Sequence, residues 1–224
     1  MRGMSEPVVA VRGESVREVD PEIATFTVTV AARDRNRQET LNRLAARVEA
    51  LRQILDGYSA VIEKRETSGL YVWPETRRSG ERVSAYSGSV VTTVTVSDFT
   101  VLGELMLRLA DQDQTTVAGP WWGLRPGSPV NGEARRAAIT DAIARGNEYA
   151  GALGARVTRL IELADTGMSG VQTRAIPLTY RAAGVADAAP SLDLDPQRQT
   201  VTAAVEARFG ITEPASLTPA APAG

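Results

Sequence analysis

RRAAITDAIARGNEYAGALG, Arg135 to Gly154, is the segment on which the architecture turns. It reads as one helix, begun near Asn131 after SPVNG and stopped by Gly154. Ala138, Ala142, Tyr149 and Leu153 fall on or near one face, with Ile139, Gly146 and Ala150 beside them. Alanine and glycine bury little area, so such a face suits close approach more than hydrophobic drive. The expectation is that this helix lies across a sheet beside a second, leucine-striped helix. On that reading Ala142→Leu costs roughly 1 to 3 kcal/mol by overpacking.

The leucine-striped helix lies upstream. Asn36, with Glu39 three residues on, resembles a capping box, and Leu41, Leu44, Val48, Leu51 and Leu55 then recur at steps of three and four. Arg43, Arg47 and Arg52 lie off that stripe, on a solvated face. Before it, Val8 to Val19 and Ile23 to Ala32 flank Asp20-Pro21, and Phe26, Val28 and Val30 alternate with Thr25, Thr27 and Thr29, which predicts a first hairpin. After it, Ala60 to Trp73 and Val83 to Ser97 flank the polar loop PETRRSGER and predict a second hairpin. Ser97-Asp98 supplies an N-cap for FTVLGELMLRLA, where Leu102, Leu105, Met106 and Leu109 share a face. Val117 to Leu124 follows as an extended segment, and Pro120 within it requires an edge strand or a bulge. Val157 to Leu163 and Val201 to Phe209 close the list of strands. Between those two, 166–199 shows no sustained periodicity and reads as a long loop. EPASLTPAAPAG reads as a disordered tail.

Composition removes many functions. Hydrophobic residues at 43% and charged residues at 23% are those of an ordinary soluble domain, with no run approaching the roughly 20 apolar residues that span a bilayer. A net charge of -2 argues against nucleic acid as a partner. Cysteine and histidine are both absent, which excludes disulfides, thiolate nucleophiles, Ser-His-Asp triads and zinc sites of the usual kind. The start MRGMSEPVVAV has no secretory h-region, so the expected location is cytoplasmic.

The order of elements resembles that of the bacterial SIMPL-domain family over about Val8 to Ile211. The opening VAVRGESVREVDPEIATFTV is similar to the family's short glycine-bearing strand followed by a long one. Tyr86-SGSVVTTVTVS-Asp98 is similar to its middle strand. The family's A-x-x-D-A helix with a later Y-A-x-x-L-G is matched by Ala138, Asp141, Ala142, Tyr149, Ala150, Leu153 and Gly154, with Gly146 departing from the usual Ala. The resemblance implies an α+β fold of two interlocked lobes, antiparallel sheets carrying three main helices. Residues 8–57 plus 129–211 would form an outer lobe, 58–128 an inserted lobe and 212–224 the tail. It also implies relatives that include membrane-associated immunogenic proteins forming large ring or channel-like oligomers. No agreed activity, cofactor or catalytic residue comes with it.

Individual candidates for chemistry are weak. Asp187, Asp193 and Asp195 lack the spacing of a calcium loop, and Asp111 and Asp113 are ordinary turn residues. The single glycine of GESVREV makes no phosphate loop, and Ser68, Ser87 and Ser89 have no base assigned to them. Trp121 and Trp122 are the residues retained. On a strand they point to opposite faces, so if Trp122 is core, Trp121 faces outward as a candidate subunit contact. The expected function is a non-enzymatic homo-oligomeric assembly linked to stress or envelope physiology, without metal or cofactor and with no small-molecule ligand identified. The alternative is a small-ligand binder or enzyme with a cleft under the 166–199 loop.

Overall fold

Hydroxyl–aliphatic alternation and heptad-like leucine stripes resolve, among the described residues, into ten elements. In order these are β1 (Val8–Val19), β2 (Ile23–Asp34), α1 (Arg37–Asp56), β3 (Ile62–Thr76), β4 (Val83–Val96), α2 (Leu102–Ala110), β5 (Thr115–Gly123), α3 (Pro129–Ala152), β6 (Val157–Asp165) and β7 (Gln199–Ile211). The computed structural model describes residues 6–76, 82–165 and 192–215. The fold is α+β, with a three-stranded sheet ordered β1-β7-β6 and a four-stranded sheet ordered β3-β4-β2-β5.

The chain divides into two compact units. The first holds β1, α3, β6 and β7; the second holds β2, α1, β3, β4, α2, β5 and residues 192–199. This corrects the expected first hairpin and the 8–57 boundary. β1 pairs with β7, while β2 lies between β4 and β5 with antiparallel ladders to both. The physical reason is the apolar face of β2. Phe26, Val28 and Val30 join Val94 and Val96 of β4 and the leucines of α1 and α2 in one core, so β2 and α1 belong with the strands of the expected inserted lobe.

Local signals behave largely as expected. Asn36 caps α1 by accepting from the Gln38 and Glu39 amides. The reciprocal half of the box is replaced, because Asp34 accepts the Asn36 amide at 2.9 Å and Glu39 pairs with Arg43. Leu44, Leu51 and Leu55 of α1 and Leu102, Leu105, Met106 and Leu109 of α2 are buried. Asp98 is not the N-cap of α2. It accepts from the Thr100 amide and hydroxyl one turn earlier, and Val101 stands at the cap without a side-chain bond. α3 begins at Ser128, whose hydroxyl accepts from the Val130 amide, with Pro129 in the first turn. At its other end Gly154 adopts φ 65° and donates to Gly151, while the Ala155 amide reaches Ala150 at 2.8 Å. That is the double bond pattern of a glycine-terminated helix, and it fixes why glycine stands there.

The segments read as loop and tail are partly fastened. Leu194 packs on the core of the second unit, and the Leu192 carbonyl lies over Gly103 of α2. The Ala215 amide donates to Leu153 and the Thr212 amide to Arg156, so 212–215 are bonded in place. Residues 166–191, with Asp187, and 216–224 lie outside the described residues.

Candidate functional site

The alanine face of α3 receives β1. A Cβ built on Gly13 would stand 2.1 Å from the Ala138 carbonyl oxygen, 2.5 Å from the Ala142 nitrogen and 2.6 Å from the Ala142 Cβ. Only a glycine permits that approach, and it answers what comes so near the helix. Gly146 is the second such point, where a Cβ would meet the Phe209 ring of β7 at 2.8 Å. Within its own unit, α3 packs its small-residue face on β1 and β7. The buried stripe is Ala134, Ala138, Ala142, Gly146 and Ala150. Tyr149 is corrected out of it, at 52% exposure, because neighbouring helical positions are turned about 100° apart. Leu153 is half-buried against the Ala150–Ala155–Ile211 cluster.

Asp141 belongs to the same joint. Its Oδ2 accepts from the Glu14 amide at 2.9 Å and from Arg145 Nε at 2.9 Å. Arg17 of β1 donates to Glu133 of α3 at 2.5 Å. The carboxylate thus ties down the backbone donor next to Gly13, a role that the sequence spacing alone did not reveal.

On β5 the two tryptophans part as strand alternation requires. Trp122 lies edge-on to Phe99, ring centres 4.8 Å apart at 80°, and packs against the core. Trp121 faces the other way, 54% exposed. It pairs across the ladder with Thr25, whose hydroxyl lies 3.4 Å from that of Thr95 on β4. Tyr71 and Trp73 of β3 pair with Ser89 and Ser87 on this same face and are 57% and 47% exposed. Thr27, Thr29, Val91 and Thr93 line the surface between them. The opposite face is covered by α1 and α2.

β5 is an edge strand, as Pro120 demanded, and its ladder to β2 is interrupted between Thr25 and Thr27 opposite the cis Gly119-Pro120 bond. β3 and β6, also edges, carry register breaks of their own. Such breaks hinder strand addition, so side chains rather than open backbone are what these edges offer a partner.

Several of the remaining candidates have structural partners. Ser87 donates to Glu75, whose carboxylate also takes Arg33 Nε at 2.9 Å and Nη2 at 2.7 Å. Arg33, first, and Ser87 hold the Glu75 carboxyl below its ordinary range, so it is a poor base for Ser87. Ser68 bonds the Thr93 hydroxyl, and Asp113 pairs with Arg47, which also donates to the Ala31 carbonyl at 2.6 Å. Asp111 caps the end of α2. Among the described residues, no group of three or more acidic side chains could hold a metal ion, and no helix is long and apolar enough to cross a membrane.

The chain is similar to the 26 kDa periplasmic immunogenic proteins of Brucella melitensis biotype 1 and Brucella abortus, 27% identical to each over 172 residues. The alignment covers 70% of this chain and 66% of each relative, so the chain spans just under two thirds of their length. Residues 9–209 match the profile of SIMPL, described as a protein of unknown function (DUF541). That span runs from β1 into β7 and takes in the Gly13–α3 joint, and on it the chain belongs to the SIMPL family.

Proposed function

We propose that this chain is a non-enzymatic building block of a homo-oligomer, with Trp121 at the contact. The observation that carries the reading is the outward Trp121, held on the sheet face opposite the core formed with α1 and α2. Interfaces concentrate tryptophan at their centres, and Trp122 beneath it gives the anchor a rigid base. The interrupted edges favour contact through that face over pairing of backbones. The periplasmic location in the names of the Brucella relatives favours a periplasmic working site over the cytoplasmic one expected from the first residues, and with it a role in envelope or stress physiology.

Light scattering after gel filtration, at several concentrations, tests this on the full chain and on Trp121→Ser. A discrete species larger than the monomer, lost in the variant, is the expected result. A monomer at every concentration in both samples refutes the proposal.

A further inference from the structure

Between α1 and the β3–β4 pair lies a cavity of about 380 Å³, within the range of roughly 300 to 1,000 Å³ common for small-ligand sites. Leu51 and Leu55 of α1 give it an aliphatic wall. Its floor is polar for a reason visible in the strand pattern. Thr92 sits on the core face of β4 between the buried Val90 and Val94, is 5% exposed itself, and pairs across the ladder with Thr67. Neither hydroxyl bonds a described residue, yet no buried side-chain oxygen is orphaned among those residues. The Thr92 oxygen is therefore reached from the cavity, and whatever fills the space must be able to bond it.

The charges around the opening balance. Arg65 is paired with Asp56 at 2.8 Å. Glu49 and Arg52, one turn apart on α1, line the same cavity and make no ion pair or hydrogen bond with a described residue. One guanidinium, one carboxylate and two hydroxyls that no described residue engages stand together with a leucine wall. The break in register between Thr67 and Gly69 falls beside them, and such bulges are common at binding sites.

We propose that this cavity binds a small zwitterion of the α-amino-acid class. The ligand carboxylate sits on the Arg52 fork, its ammonium group on Glu49, and an aliphatic side chain on Leu51 and Leu55. Glu49 and Arg52 are both exposed, so a ligand with one charge engages only one of them, whereas a zwitterion meets both at once. The site is built from one unit alone and requires no second copy of the chain.

Calorimetric titration of the full chain with L-leucine, 4-methylpentanoate and 3-methylbutylamine separates the two charges. L-leucine is expected to saturate the protein with a Kd at or below about 1 mM, and each analogue to bind at least about ten-fold more weakly. Arg52→Gln and Glu49→Gln, both at exposed positions, should each weaken L-leucine by a similar factor while keeping the wild-type melting temperature, and Thr92→Val should weaken it without unfolding the core. Absence of saturation by L-leucine up to about 10 mM overturns the proposal. Equal binding of the three probes, or affinity unmoved by Arg52→Gln and Glu49→Gln, overturns it as well.

Discussion

Replacing Gly13 with alanine adds a single methyl group, and the structure leaves no room for it. Carbon atoms make ordinary contact from about 3.5 Å outward, so a new Cβ 2.6 Å from the Ala142 Cβ is about 0.9 Å too near. The Ala138 oxygen and Ala142 nitrogen, closer still, are backbone and cannot rotate away. The helix must lift. Lifting re-exposes the methyl groups of Ala138 and Ala142, at about 0.8 kcal/mol for each buried carbon, and stretches the Glu14–Asp141 bond, worth roughly 1 kcal/mol at a part-exposed site. Alanine recovers about 0.5 to 1 kcal/mol of backbone entropy relative to glycine in a strand. The net loss is about 2 kcal/mol, or some 4 to 8 °C in melting temperature for a chain of this length.

The assay follows from where the tryptophans lie. Trp73, Trp121 and Trp122 all belong to the second unit and none is part of the apolar clusters around α3, so a backbone probe is the appropriate readout. Hydrogen exchange of α3 amides should accelerate in Gly13→Ala, with a lower transition by far-UV circular dichroism. Unchanged α3 exchange and a melting temperature within about 1 °C of wild type would refute the close-approach argument.

Ala142→Leu, on the other side of the same contact, should cost about 1 to 3 kcal/mol in chemical denaturation, and a wild-type midpoint would contradict it. Gly103→Ala places a Cβ 1.8 Å from the Leu192 carbonyl oxygen and should cost about 1 to 3 kcal/mol, with faster proteolysis within 192–199. Gly151→Ala, whose Cβ meets nothing, should instead stabilise α3 by about 0.5 to 1 kcal/mol. Trp122→Ala removes the Phe99 contact and should cost about 3 kcal/mol, whereas Trp121→Ser should change monomer stability by less than about 0.5 kcal/mol, both read by urea titration. The depressed carboxyl of Glu75 contributes stability above the ordinary glutamate range, and that contribution is lost as pH falls through its lowered folded value. Glu75→Gln should accordingly flatten the acid limb of a stability–pH curve and leave its neutral-to-alkaline shape unchanged.

Elements with strong local periodicity were legible before any coordinates. The leucine stripe of α1, the Asn36 cap, the Gly154 stop and the opposed tryptophans each follow from a few neighbouring residues. Pairing between distant segments leaves no such trace. β1 and β2 both read as strands separated by Asp20-Pro21, and nothing local says that one joins β7 and the other β4 and β5. Gly13 reads only as the single glycine of GESVREV, because its reason lies on a helix far along the chain. The cavity was invisible for a related reason: Arg52 reads as a solvated arginine, and Thr67 and Thr92 as strand residues, until three elements bring them together. Tyr149 misled through its family motif, which places it beside the buried Ala150 but not on the same side of the helix.

The β1–β7 pairing orders events during synthesis. Every strand and helix of the second unit is synthesised by Gly123, so most of its core can close early, with Leu194 joining later. The first unit must wait for Gln199–Ile211, because β7 stands between β1 and β6 in its sheet. Until that strand emerges, β1 lacks its ladder partner and the first unit stays unfinished. Truncation before β7 therefore forfeits the whole first unit rather than one strand of it.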